Sequence, residues 1–181
     1  PDRVRAGDVV VALASSGLHS NGYSLVRHVL LNQAGWALDR DVPELGTTLG
    51  ETLLTPTQVY ARDILALVGA AEVHAISHVT GGGLANNLAR VLPAGVAATL
   101  RRDSWTPPAI FSLVQQVGKV SQPDIEATLN MGVGMALVAP AESVDQLVRT
   151  ASERGLEAWV LGETQAVEGP ARVEMAGEHA G

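Results

Sequence analysis

The chain has 181 residues, 46% of them hydrophobic but only 3% aromatic, so its core must be packed mainly from Val, Leu, Ala and Ile. That length suits one domain, able to bury roughly 70% of the surface its unfolded form exposes. A formal net charge of −7 and the complete lack of cysteine argue against a nucleic-acid or anionic-membrane partner and exclude disulfides, thiolate metal sites and a cysteine nucleophile.

The chain opens at Pro1 rather than Met and reaches strand-like Val9 almost at once, which reads as a piece of something longer. Nothing ahead of Val9 resembles a signal peptide, and no apolar run approaches the ~18 residues of a membrane span, so a soluble cytoplasmic protein is expected. Asp8 to Ala14 is a continuous apolar run of strand length, the pattern of a strand covered on both faces. A helix is expected from about Asn21, with Leu25, Val26, Val29 and Leu30 at helical spacing and Gly35 as its stop. Residues 36–50 combine Pro43, Gly46 and Gly50 without a period and read as a loop.

Thr55-Pro56-Thr57 predicts the start of a second helix, with a hydroxyl cap and Pro in the first turn, carrying the apolar stripe Val59, Ile64, Leu65, Leu67 and Val68. Further on come a strand at Val73 to Val79, a helix from Leu84 to Val91, a strand at Val96 to Leu100, a helix at Pro107 to Val117 and a short one at Pro123 to Leu129. Val133 to Ala139 is another apolar strand and Ala141 to Arg154 an amphipathic helix ended by Gly155. Ala158 to Leu161 and Arg172 to Met175 close the pattern as two strands with a short connection, which an all-parallel sheet would not have. The fold class is therefore α+β, a mixed sheet with helices on its faces, forming one domain over residues 1–175 with a tail at 176–181.

Three turns between these elements carry chemistry-bearing residues. Ser16-Gly17-Leu18-His19-Ser20-Asn21-Gly22 links a strand to a helix and brings hydroxyls, an imidazole, an amide and backbone N–H groups to one sheet end, a combination suited to an anion. His78-Val79-Thr80-Gly81-Gly82-Gly83 repeats the design. The glycines can equally mark a flexible turn, and each of His19 and His78 can equally be a hydrogen-bonded structural residue. Asn130 to Met135 offers a third turn, with Asn130 as a further polar contact, unless its glycines only mark a bulge or a tight crossing. His28, His74 and His179 read as structural. No G-x-x-x-x-G-K motif occurs, and the only lysine, Lys119, lies in an unpromising loop.

Gly7-Asp8-Val9-Val10, Gly17 to Arg27, Leu54-Thr55-Pro56-Thr57, Val73 to Leu84, Arg90-Val91-Leu92-Pro93 and Asn130 to Met135 together resemble the C-terminal half of the phosphoribosylformylglycinamidine cyclo-ligase family. Leu18 departs from the Pro of many members, and Leu129 stands where an aromatic residue is expected. The resemblance implies a layered helix and sheet domain with partial likeness to the ferredoxin-like fold. It also implies ATP-dependent closure of the imidazole ring of formylglycinamidine ribonucleotide in a cytoplasmic homodimer. ATP and magnesium are then bound mainly by an N-terminal half outside this chain, which alone is expected to be inactive. Of the turn residues, His78 and His19 become candidate catalytic groups, and Ser16, Ser20, Asn21, Thr80, Gly81, Gly82, Gly83 and Asn130 candidate contacts to substrate or phosphate. No metal ligand is assigned, because His stands at position 78 where paralogous enzymes carry a magnesium-suited Asp, and a neutral imidazole is a poor ligand for that hard ion. The synthetase half of the paralogous formylglycinamide ribonucleotide amidotransferase and a non-catalytic anion-binding module remain alternatives.

Overall fold

The computed structural model describes residues 2–179; positions 180 and 181 of the expected tail lie outside them. The strands are β1 (Val9–Ala14), β2 (Asp41–Val42), β3 (Thr47–Thr48), β4 (Ala75–His78), β5 (Val96–Arg101), β6 (Val133–Ala139), β7 (Ala158–Ala166) and β8 (Arg172–Ala176). The helices are α1 (Tyr23–Val26), α2 (Leu49–Leu53), α3 (Ala61–Ala70), α4 (Gly83–Ala89), α5 (Ala109–Gly118), α6 (Gln122–Thr128) and α7 (Val144–Glu153). α1 continues directly into π-helical turns over Arg27–Gln33.

Six strands form one mixed sheet in the order β4-β6-β1-β7-β5-β8. Every pairing is antiparallel except β5 with β8, which is parallel. β1 is central, and its side chains explain its unbroken apolar sequence. Val10 and Ala12 enter one core with Val26, Leu30, Leu84, Leu88, Phe111 and Ile125, whereas Val11 and Leu13 enter a second with Leu67, Leu147 and Ala151. Helices thus cover both faces. β6 is buried at all seven positions for the same reason, so strand periodicity is replaced by a solid apolar run.

Three local expectations are corrected. The second helix begins at Ala61 rather than Thr55, because residues 55–58 are held in non-helical form by the first turn. Ser16 Oγ donates to the Pro56 carbonyl at 2.7 Å and accepts the Gln58 N–H at 3.1 Å, while the Ser20 and Thr57 hydroxyls pair at 3.0 Å. Of the stripe attributed to that helix, Leu67 is buried, but Val59, Leu65 and Val68 face solvent, Leu65 being 71% exposed.

Within residues 36–50, expected as loop, lie the short hairpin of β2 and β3, two residues in each strand, and the start of α2. α2 is nucleated by a capping box in which Thr48 Oγ1 accepts the Glu51 N–H and the Glu51 carboxylate accepts the Thr48 N–H. The tail is anchored as far as it is described. β8 includes Ala176, the Arg102 guanidinium donates to the carbonyls of Met175 and Gly177 at 2.8 and 3.1 Å, and the His179 ring meets Trp105 edge-on at 4.6 Å.

His74 has a structural setting. Its Nδ1 lies 2.7 Å from Asp8 Oδ2 and its Nε2 3.2 Å from Glu72 Oε1, and Asp8 also accepts the Arg5 N–H at 3.0 Å. This buried polar knot ties the approach to β1 onto the approach to β4.

Candidate functional site

The topology explains why three turns far apart in sequence become neighbours. β1 and β4 flank β6 and both run antiparallel to it, so they run parallel to each other and finish at the sheet end where β6 begins. The segments after Ala14, after His78 and before Val133 therefore converge. Asn21 Oδ1 accepts the Gly81 N–H at 3.2 Å, which joins the first turn to the second. Val79 N–H donates to the Gly134 carbonyl, and Ser15 N–H to the Gly132 carbonyl, which join both turns to the third.

His19 sits at the centre of the first turn, 3% exposed and in the left-handed region at φ 56. The Ser16 N–H donates to its Nε2 at 3.1 Å. In the neutral ring that bond makes Nε2 the acceptor and leaves the proton on Nδ1, which is buried and has no hydrogen-bond partner among the described residues. Burial first, and then the like charge of His78, lower its pKa from the ordinary imidazole value. His19 is therefore a neutral N–H donor at neutral pH and a weak base.

His78 differs in placement. It is the last residue of β4 and is exposed, open to a reacting group from solvent. Thr80 is half-buried and its hydroxyl donates to Asn87 Oδ1 at 3.2 Å. Gly81 is exposed, Gly82 precedes α4 at φ 109, and Gly83 opens it at φ 74. At Gly83 there is no room for a side chain, because an added Cβ would overlap the Glu126 carbonyl of α6. At Gly81 there is open space. The triplet thus divides into a packing glycine and a solvent-facing one.

Asn130 is 1% exposed and fully engaged within the turns: it donates to the Gly17 carbonyl at 2.9 Å and accepts the Gly132 N–H at 2.8 Å and the Ser15 hydroxyl at 3.2 Å. It shapes the site instead of facing a ligand. Ser16 and Ser20, both exposed, hold residues 56–58 in place. Beside Ser16 and Gly17 a groove of about 330 Å³ opens toward Thr52, Thr55 and the first turn of α5.

Tyr60 belongs to this site and was missed from sequence. Its hydroxyl donates to the Ala14 carbonyl at 2.6 Å, its ring lies 6.0 Å from that of His19, and burial with the nearby Asp63 carboxylate pushes its phenol well above the ordinary value. Gly134 is small because Tyr60 and His19 fill the space a side chain would take. The one available signal was an aromatic residue following the polar segment 55–58. Among the described residues no group of three or more His, Asp or Glu side chains is placed to hold a metal ion. No helix among them is long and apolar enough to cross a membrane.

A mixed sheet with helices on both faces and three strand-end turns gathered around two histidines defines a recognisable class of domain. Residues 5–173 match the model of the AIR synthase related protein, C-terminal domain. A Streptomyces fradiae protein provisionally named phosphoribosylformylglycinamidine cyclo-ligase is 59% identical over 160 residues, covering 88% of each chain. The phosphoribosylformylglycinamidine cyclo-ligase of Symbiobacterium thermophilum is 49% identical over 170 residues, covering 92% of this chain and 48% of that one. Among solved structures, a thiamine-monophosphate kinase from Stenotrophomonas maltophilia superposes with a TM-score of 0.63 at 21% identity, over 98% of this chain and 52% of the other, a likeness of fold. The chain belongs to the AIR synthase related family, as its C-terminal domain. It spans nearly the whole of the Streptomyces relative but about half the length of the Symbiobacterium one.

Proposed function

We propose that this domain binds and orients the ribonucleotide in ATP-dependent closure of the imidazole ring of formylglycinamidine ribonucleotide, which yields aminoimidazole ribonucleotide, ADP and phosphate. The observation that carries the reading is the convergence of three turns around one buried neutral imidazole and one exposed one, in a chain closely similar to cyclo-ligases. In the reaction the γ-phosphoryl group passes to the formyl amide oxygen. The amidine nitrogen then attacks the same carbon, the carbon–oxygen bond breaks and phosphate leaves. Both steps depend on holding one flexible molecule in a single pose and on neutralising charge at oxygen.

The residues of this chain suit the first demand. Thr80, Gly81 and Gly82, with Ser16, Ser20 and Asn21 across the junction, form the rim where a phosphate or amide group is received. His78, exposed at the strand end, is placed to donate to substrate oxygen or to relay its proton. By likeness to cyclo-ligases, one of which is about twice as long as this chain, ATP and magnesium are assigned to residues outside this chain, in an N-terminal half, and the working enzyme to a cytoplasmic homodimer. The isolated chain is expected to fold and to show no turnover.

Titration of inorganic phosphate, followed by amide NMR shifts, tests the site. Saturable shifts at His19 to Gly22 or at Thr80 to Leu84 are expected; silence at both turns would remove the anion reading. Within the assembled enzyme, His78→Asp should weaken substrate binding more than His78→Asn, since a carboxylate facing phosphate adds like-charge repulsion. Equal damage from the two would make His78 a structural residue. An ADP-release assay on this chain, alone and with a separately made N-terminal half from a longer relative, checks the division of labour. Ring closure by this chain alone would overturn it.

A further inference from the structure

Behind the glycine turn lies a second cavity, of about 170 Å³, that takes no part in the site described above. Its walls come from the first turn of α4 (Leu84, Ala85), from Trp105, from α6 (Glu126, Ala127) and from Met131 and Met175. Apolar cavities of ~150 Å³ in proteins admit single aromatic rings. The Trp105 ring is 9% exposed and cannot swivel freely, because its Nε1–H donates to the Met131 carbonyl at 2.8 Å and the His179 ring abuts it. A fixed indole and two thioether side chains form a surface that favours another aromatic ring, through offset or edge contacts and sulfur–aromatic contacts.

The polar side of the cavity selects further. The Glu126 carboxylate is held by Arg102 in a two-pronged pair, Nε to Oε1 at 2.7 Å and the second nitrogen to Oε2 at 2.8 Å, with Gln122 donating to Oε1 at 2.7 Å. Its charge is already compensated, so a cationic ligand gains little and an anionic one meets a carboxylate. Oε1 already accepts two hydrogen bonds, so the acceptor left for a neutral N–H is Oε2, which accepts one.

We propose that this cavity is a binding site for a small neutral heteroaromatic molecule carrying a ring N–H, of the size of indole or imidazole. The site is separate from the phosphate-receiving rim and does not depend on the proposed reaction.

The test uses indole and its isostere benzofuran, which has the same shape with oxygen in place of N–H, each titrated into isotopically labelled protein. Indole is expected to give saturable amide shifts centred on Ala85, Asn86, Ala127 and Met131, with benzofuran at least about tenfold weaker because it lacks the donor for a charged acceptor. Ala85→Leu, which fills the cavity from α4, should abolish indole binding while leaving the response of the turns to inorganic phosphate intact. Ala127→Leu, at an exposed position on α6, provides the same test if the first variant folds poorly. Absence of saturation at millimolar indole, or retention of binding in both variants, would overturn the site. Equal affinity for the two probes would overturn the N–H assignment. Loss of the phosphate response in wild-type protein would count against the proposed function and leave this inference untouched.

Discussion

Replacing the glycines of the Gly81 to Gly83 turn one at a time should separate packing from binding. At Gly83 two costs combine. A left-handed φ of 74 in an L-residue carries about 1–2 kcal/mol, and the overlap of the new methyl with the Glu126 carbonyl forces α4 and α6 apart, an overpacking cost of about 1–3 kcal/mol. Gly83→Ala should therefore lose about 2–5 kcal/mol, or about 4–20 °C in melting temperature for a domain of this size. Gly82→Ala meets only ordinary contacts but keeps φ 109, and should lose about 1–3 kcal/mol through backbone strain alone. Gly81→Ala faces open space without a left-handed φ and should stay within about 0.5 kcal/mol of wild type. Urea unfolding followed by circular dichroism measures all three, and phosphate titration of the same proteins measures binding. The expected pattern is stability lost in the order 83, 82, 81, with a weakened phosphate response in the still-stable Gly81→Ala. A Gly83→Ala protein as stable as wild type would refute the packing argument, and a Gly81→Ala protein as damaged as Gly83→Ala would refute the division of the triplet.

Asn130→Ala removes three hydrogen bonds from a buried junction and should cost about 2–4 kcal/mol, read as a fall in melting temperature; a change below ~0.5 kcal/mol would show that the turns hold without it. Because the folded-state pKa of His19 is lowered, the unfolded chain takes up its proton first on acidification. The stability from the neutral ring is complete above the ordinary value of about 6.5 and declines as pH falls below it toward the folded pKa. His19→Gln should flatten that part of the stability curve, and superimposable curves for the two proteins would contradict the assignment. Leu65→Gln, on the outer face of α3, should shift urea stability by less than about 0.5 kcal/mol, whereas a loss of 2 kcal/mol or more, about the cost of truncating a core leucine, would mean that this leucine is in the core.

The elements legible in the sequence are those whose burial writes a simple pattern. β1 and β6 were readable because both of their faces are covered, which leaves no polar residue to interrupt Val9 to Ala14 or Val133 to Ala139. α7 was readable because one face is buried and the other solvated. The stripe at Leu65 and Val68 misled because helical spacing reports that residues share a face and says nothing of what lies opposite. Thr55-Pro56-Thr57 misled for a different reason, since its side-chain and backbone partners lie about forty residues earlier, on Ser16 and Ser20. The Thr48/Glu51 capping box was available as a sequence signal and was outweighed by the prolines and glycines around it. In the site, residue types announced the three turns. Their convergence depended on strand order, which no local pattern encodes, and so the contact of Tyr60 with His19 and the inward role of Asn130 stayed hidden.

The central place of β1 has a consequence for biogenesis. Among the strands of this domain it is the first to be made, yet both of its neighbours, β6 and β7, are among the last. Residues 9–14 must wait for residues 133–139 and 158–166 before either edge is paired. Until then VVVALA is an uncharged β-forming segment with two open edges, the kind of sequence that recruits other chains. Non-local pairing of this sort also slows folding. Nascent chains stalled before residue 133 are thus the vulnerable species, and shielding of this segment by a chaperone, or by a folded domain already made ahead of it, would decide the yield of native protein.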